Sequence, residues 1–288
     1  MQYILYGIFS ALGIGFANTL SKIPSQKIGA EKLLFFRTIL TTLFLLIVLL
    51  FFGGKFDLSM ILFSLLISSI AYIAMLSMYK GFAVDKIGIV SPIASSYSVL
   101  TIILSAIFLN VTLRPAQTIS IVVIIIGVII INLNIKNKFN IRTVAQSNKG
   151  IFFGLVAAFV YGIFFFLAQI PTRVLGQYET AFLFELGILI FSSLVLLFSK
   201  KLMTIKLPDD QNKFYIFLVA IFSVASILLL YTGLKNINYA GVVLALNSCA
   251  PLVVIVLGCI IYKEKLTTLQ KIAGVVIVAG IVGLSLAG

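Results

Sequence analysis

Apolar residues dominate ten runs of this chain, at 3–22, 33–53, 59–80, 87–109, 115–133, 150–170, 179–199, 214–234, 239–262 and 268–287, with short polar stretches between them. A helix of about 20 residues crosses a hydrocarbon layer about 30 Å thick. The runs are apolar on every face, without the alternating polarity over about 10 residues that a barrel strand requires. The pattern predicts an all-α polytopic membrane protein with ten transmembrane helices, which leaves no room for a soluble domain. The first run lacks a charged start, and Lys22-Ile23-Pro24 is a poor cleavage site, so it is expected to be a mature helix and not a signal peptide.

The second half of the pattern repeats the first. Gly7, Ala11, Gly15 and Thr19 step every four residues through run 1, and Gly150, Gly154, Ala158 and Gly162 do so in run 6, at an offset of 143. Tyr79, Gly81, Ser96 and Leu100 recur as Tyr231, Gly233, Ser248 and Leu252 at an offset of 152. Gln117, Ile124 and Gly127 return as Gln270, Ile277 and Gly280 at an offset of 153. Five crossings per copy is an odd number, so two copies in one chain must lie in opposite orientations. The expected organisation is a first five-helix repeat at 1–134, a polar linker at 135–149 and an inverted second repeat at 150–288, an arrangement used by secondary transporters around a midplane site.

Composition agrees with the pattern. Hydrophobic residues make up 61% of the 288 and charged residues 10%, against about 25% charged in soluble domains. The net charge of +13 would suggest nucleic acid for a soluble protein, but here the cations cluster in loops. Sixteen lysines and arginines fall in the odd-numbered loops and four in the even-numbered ones. The positive-inside rule then places the odd loops in the cytoplasm and both termini outside. Expected partners are the lipid bilayer and a small-molecule substrate, with no nucleic acid. Ten helices around their own cavity make a monomer sufficient, with at most a weak homodimer. Cys249 and Cys259 lie about 15 Å apart along one helix, too far to bond to each other. The chain has no histidine, so a zinc or haem site has almost no ligands. No cofactor is expected.

Tyr79-Lys80-Gly81-Phe82-Ala83 leading into Ser91-Pro92-Ile93-Ala94, and Tyr231-Thr232-Gly233-Leu234 leading into Asn247-Ser248-Cys249-Ala250-Pro251-Leu252, resemble the paired segments of the drug/metabolite transporter superfamily, in its ten-helix EamA type. Tyr262-Lys263-Glu264-Lys265-Leu266-Thr267 is similar to its apolar-Gly-Glu-Arg-Leu-Thr signature, with Lys263 in place of Gly and Lys265 in place of Arg; the first copy, Asn110-Val111-Thr112-Leu113-Arg114-Pro115, lacks the Glu. The resemblance implies that helices 1–4 and 6–9 surround a central cavity while helices 5 and 10 are peripheral. It also implies alternating access and transport of amino acids, other metabolites or organic cations. Members of this type usually have both termini in the cytoplasm, opposite to what the lysine distribution predicts for this chain.

Two charges fall inside apolar runs: Arg37 in run 2 and Glu185 in run 7, its counterpart. A charge at bilayer depth costs about 3 kcal/mol on insertion scales, so it needs a partner, a cavity or an escape to the interface. Arg37 can snorkel from its shallow position, the two can pair and lock their helices, or Glu185 can face a cavity and exchange a proton for a cationic substrate group. The other acids fall near helix ends or in loops, which leaves Glu185 as the single deep carboxylate and the candidate proton carrier. Substrate recognition is expected from Asn18, Arg37, Tyr79, Ser95, Tyr97, Tyr161, Gln169, Glu185, Tyr231 and Asn247, since a buried amide or hydroxyl in lipid must meet another helix, water or ligand. Tyrosine faces also suit an ammonium group. For each polar member an interhelical hydrogen bond is the competing reading. Pro92 and Pro251 are expected to kink runs 4 and 9.

The function expected is a secondary transporter of a small organic metabolite such as an amino acid or amine, proton-coupled through Glu185, in a bacterial or archaeal cytoplasmic membrane. The alternative is a flippase of a lipid or lipid-linked sugar, with Arg37 as its head-group site. An intramembrane enzyme lacks its chemistry here, with no deep Asp pair and no histidine for a zinc or serine protease, and without a Gly-x4-Gly-Lys-Ser/Thr loop ATP is not the expected energy source.

Overall fold

The computed structural model describes residues 2–52, 54–55, 57–108, 114–133, 149–200, 206–234, 243, 246–247 and 249–286. Among them the secondary structure is helical, without strands: α1 (Gln2–Leu20), α2 (Lys22–Lys27), α3 (Ala30–Phe52), α4 (Leu58–Val84), α5 (Ile87–Ser95), α6 (Tyr97–Phe108), α7 (Pro115–Leu133), α8 (Lys149–Leu175), α9 (Gln177–Phe198), α10 (Asp210–Leu234), α11 (Ala250–Ile261) and α12 (Thr268–Leu286). Seven helical stretches are long and apolar enough to cross a membrane, and Pro115–Gly127, Ala250–Ile261 and Thr268–Gly283 are shorter apolar helices. Their outward faces carry large apolar side chains such as Leu50, Phe51 and Phe198, each more than three-quarters exposed. In water that surface would aggregate; against acyl chains it is at home. The chain is a multi-pass membrane protein.

Local sequence sets where the helices begin. Gly29 and Gly176 adopt positive φ, 91° and 99°, a region open to glycine at little cost. They end α2 and α8 and turn the chain into α3 and α9. Asp57 caps α4: it accepts hydrogen bonds from the Ser59 hydroxyl and from the Met60 amide at 3.0 Å, and these hold its carboxyl below the usual aspartate range. Asp209 does the same before α10, accepting from the Asn212 amide at 2.9 Å and from its side chain at 2.6 Å, and its carboxyl is likewise held down.

The prolines act differently from expectation. Run 4 does not bend smoothly at Pro92; it breaks into α5 and α6 around Ser96, whose amide bonds back to the Ile93 and Ala94 carbonyls. Pro251 does not kink a helix interior. It sits in the first turn of α11, where its missing N–H goes unneeded. Of the remainder predicted for run 9, residues 239–242, 244–245 and 248 lie outside the described residues.

Helix packing follows one scheme. α4 runs along α8 and α1 along α10; α3 packs against α9 and α7 against α12. Small residues make these approaches close. A Cβ on Gly13 would fall 3.1 Å from Ser226 Cβ, and, where α8 also meets α6, one on Gly162 would fall 2.6 Å from Leu100 Cβ. Between α7 and α12 the fit is reciprocal: Gly127 lies against Ile277 and Gly280 against Ile124, while Gly283 reaches back to Ser120, so the two helices run antiparallel.

The chain's connections collect at two ends. At one, Lys22 pairs with Glu264, Lys27 Nζ donates to Gln211, Gln26 to the Ala83 carbonyl, and Lys86 Nζ to the Lys265 carbonyl. At the other, Phe52 stacks on Tyr178 with centroids 5.5 Å apart, and Gly54 lies against Glu179. Glu179 lies in the first turn of α9, near a helix end as expected, and is nonetheless buried, 6% exposed like Glu185.

Candidate functional site

Where α3 packs against α9, Arg37 Nη1 donates to Glu185 Oε2 at 2.8 Å. Thr41, one turn beyond Arg37 on the same face of α3, donates from Oγ1 to the same carboxylate oxygen at 2.7 Å. From α4, Met75 Sδ approaches Nη1 at 3.3 Å. The two charged side chains are 3% and 7% exposed. A buried charge without its partner costs several kcal/mol, so each stabilises the other's position in the bilayer. The snorkelling alternative for Arg37 is thereby set aside: its guanidinium is enclosed and turned inward. The hydrogen-bonding capacity is not exhausted. Arg37 Nε is buried without an acceptor among the described residues.

Aromatic side chains wall the pair. Tyr79 on α4 is buried and Tyr161 on α8 is half-buried, and both phenols lie within electrostatic reach of Arg37 and Glu185. Tyr97, opening α6, stacks on Phe165 with centroids 4.5 Å apart and leans on Tyr161 at 5.8 Å. Phe164 meets Phe184, the residue before Glu185, edge to face at 5.1 Å. Thus the break that separates α6 from α5 brings Tyr97 to the same aromatic cluster as Tyr161. Ring faces beside an ion pair can hold a cationic group as it leaves the carboxylate.

The other expected site residues are placed elsewhere or bound otherwise. Asn247 Oδ1 accepts from Ser10 Oγ at 2.8 Å, and Ser226 Oγ donates to the Ser10 carbonyl at 2.8 Å. That knot ties α1 to α10 and to the segment before α11, the interhelical alternative for Asn247. Asn18 is half-buried in the last turn of α1, its carbonyl accepting from Ser21 Oγ at 2.7 Å. Ser95 closes α5, and Gln169 is half-buried on α8. The side chain of Tyr231, on α10, lies outside the described residues, as does Ser248. Sequence reasoning missed Thr41 and Met75. Thr41 was accessible in principle, since i and i+4 share a helix face.

Two clefts open at the ends of the bundle, of about 850 Å³ and about 550 Å³. Neither is lined by Arg37 or Glu185, whose side chains are enclosed by their neighbours. Among the described residues no group of acids and cysteines is placed to hold a metal ion.

Comparison with known proteins adds three findings. The model of the EamA-like transporter family matches twice, over residues 1–133 and 148–286. Uncharacterized protein MJ1333.1 of Methanocaldococcus jannaschii is 31% identical over 136 residues, 47% of this chain and 96% of that protein. A solved structure described only as a protein crystal structure aligns with a TM-score of 0.68 at 14% identity, over 98% of this chain and 95% of that one, a likeness of fold.

Proposed function

The chain belongs to the EamA-like transporter family, and on that premise we propose that it is a secondary transporter of a small organic metabolite that carries an ammonium group, working by alternating access. The Arg37–Glu185 pair carries the proposal. It joins counterpart helices of the two family matches, so a solute that takes one charge from the other acts on both halves at once. In this reading the substrate ammonium replaces the guanidinium on Glu185, steadied by Tyr79 and Tyr161. Arg37, released, turns its Nε and Nη groups to an acceptor on the solute. A proton on Glu185 does the same work on the return stroke, which couples transport to the proton gradient.

The proposed frame is ten crossings in two inverted units joined by the linker, set in a cytoplasmic membrane with both termini outside. Its support is the packing scheme, which is unchanged when the helices of one half are exchanged for those of the other: α4 on α8 becomes α10 on α1, while α3–α9 and α7–α12 map onto themselves. The reciprocal Gly127–Ile277 and Gly280–Ile124 contacts obey the same exchange. A relative that corresponds over nearly its whole length to about half of this chain agrees with a unit that was once separate. A flippase is favoured less, because Arg37 is engaged by Glu185 and offers no free cation to a phosphate head group.

The test is proton-linked flux in liposomes holding the purified protein, screened over amino acids and amines. Glu185→Gln is expected to abolish pH-dependent transport. Normal flux with unchanged pH dependence in that variant would remove the proposed role of Glu185.

A further inference from the structure

The cleft of about 850 Å³ lies at the lysine-rich end of the bundle, where the start of α3, the end of α4 and the start of α8 meet. Three cations from three helices converge on it: Lys32, Lys80 and Lys149. Glu31 is the acid on the same wall, and its pairing with Lys80 is loose, 3.9 Å between two partly exposed side chains, a geometry worth little in solvent. Lys32 and Lys149 form no ion pair among the described residues. The wall also holds Ser25, 2% exposed, whose Oγ is buried with no hydrogen-bond partner among the described residues. An unmet buried hydroxyl beside a surplus of cations fits an anion with several acceptor oxygens.

Apolar side chains stand on the same helices, Val84 four residues after Lys80 on α4 and Phe152 three residues after Lys149 on α8. Val84 and Phe152 line the cleft and are 54% and 43% exposed. They stand at the ends of membrane-spanning helices, where an outward apolar surface meets lipid. One cleft therefore brings together cations, a hydroxyl and exposed apolar side chains. We propose that it binds an anionic phospholipid, the phosphate on Lys32, Lys80, Lys149 and Ser25, the first acyl carbons against Phe152, which lies deeper in the bilayer than Lys149. Lys32 and Lys80 belong to the first family match and Lys149 to the second, so the bound head group bridges the two halves and makes their relative motion responsive to membrane charge.

The test titrates the full-length protein, in neutral detergent, with phosphatidylglycerol, with phosphatidylcholine of the same chains, and with glycerol 3-phosphate. Native mass spectrometry counts bound molecules and the melting temperature reports their effect. Phosphatidylglycerol is expected to bind and raise the melting temperature, with little effect from the other two. A basic residue near an anionic lipid surface contributes about 1 kcal/mol, so Lys32→Gln/Lys80→Gln/Lys149→Gln is expected to weaken binding about a hundredfold. Lys200→Gln/Lys213→Gln, at the same lysine-rich end but outside the cleft, is expected to leave it unchanged. If the triple variant fails to fold, Lys149→Glu, exposed at the first residue of α8, gives the same reading. Equal binding of phosphatidylcholine, or unaltered affinity in the lysine variants, would overturn the proposal. Saturation by glycerol 3-phosphate at the affinity of the lipid would overturn it too, assigning the cleft to soluble phosphate esters.

Discussion

Arg37 and Glu185 each hold the other in place, and single substitutions are expected to reveal that before they reveal transport. Arg37→Ala or Glu185→Ala leaves one buried charge unpaired, a loss of about 3–5 kcal/mol, to be read as a lower melting temperature in detergent. The paired variant Arg37→Met/Glu185→Leu is expected to recover most of that stability and still fail to move solute. Flux in the paired variant would make the ion pair a structural clamp only. These two residues were legible in the sequence because charges inside apolar runs are rare. The Ser10–Ser226–Asn247 knot was not, since hydroxyls are scattered over every run and nothing in the spacing pairs run 1 with run 8. The burial of Glu179 and Glu264 was hidden for another reason: Gly54 of the α3–α4 connection lies against Glu179, and the connection that carries Glu264 meets the start of α5, which periodicity cannot report. At the surface, Asp57 and Asp209 lend stability as carboxylates. Their folded pKa lies below the unfolded value of about 4, so the contribution is complete above that value and is lost as pH falls through the lower folded one. Melting curves between pH 6 and 3 are expected to fall less steeply in Asp57→Ala/Asp209→Ala than in the parent.

At the scale of helices, glycines separate packing from function. A Cβ on Gly127 would meet Ile277 Cγ1 at 2.6 Å, between α7 and α12. A Cβ on Gly187 would meet Ser68 Cβ at 2.4 Å, between α9 and α4, two residues from Glu185. Overpacking of this kind costs about 1–3 kcal/mol. Gly127→Val and Gly187→Val are expected to lower the melting temperature alike, but only Gly187→Val is expected to reduce flux per folded molecule. Equal losses of flux would place α7 and α12 inside the transport machinery. The small-residue ladders made close helix contacts legible, yet not which helices meet. The choice of α10 for α1 and of α8 for α4 depends on the folded whole. Proline was misleading for a related reason: it marks where a helix cannot continue its bonding, and whether that becomes a break, as after Pro92, or a start, as at Pro251, is set by the neighbouring residues.

For the whole molecule, an inverted pair of five-helix units requires both termini on one face of the membrane. In a Cys249→Ser/Cys259→Ser background, single cysteines at Gln2 and Leu286 are expected to react with an impermeant thiol reagent from the same side, and one at Lys213 from the other. Opposite sidedness of the two ends would give an odd number of crossings and end the inverted arrangement. The duplication was readable because spacing survives when identities drift; the proposed orientation rests on a tally of lysines, which the labelling experiment tests. One asymmetry departs from the mirrored plan. Glu264, 4% exposed in its side chain, accepts from Lys22 at 2.5 Å and from the Ile87 and Gly88 amides at the start of α5, whereas the matching stretch from Asn110 to Pro115 has no acid. A charge-assisted hydrogen bond contributes about 1.5–3 kcal/mol, equivalent to a bias of roughly ten- to a hundredfold. On the proposed alternating-access reading, the two doors are thus hung on unequal hinges, and closure at the Glu264 side is the favoured one in the idle carrier.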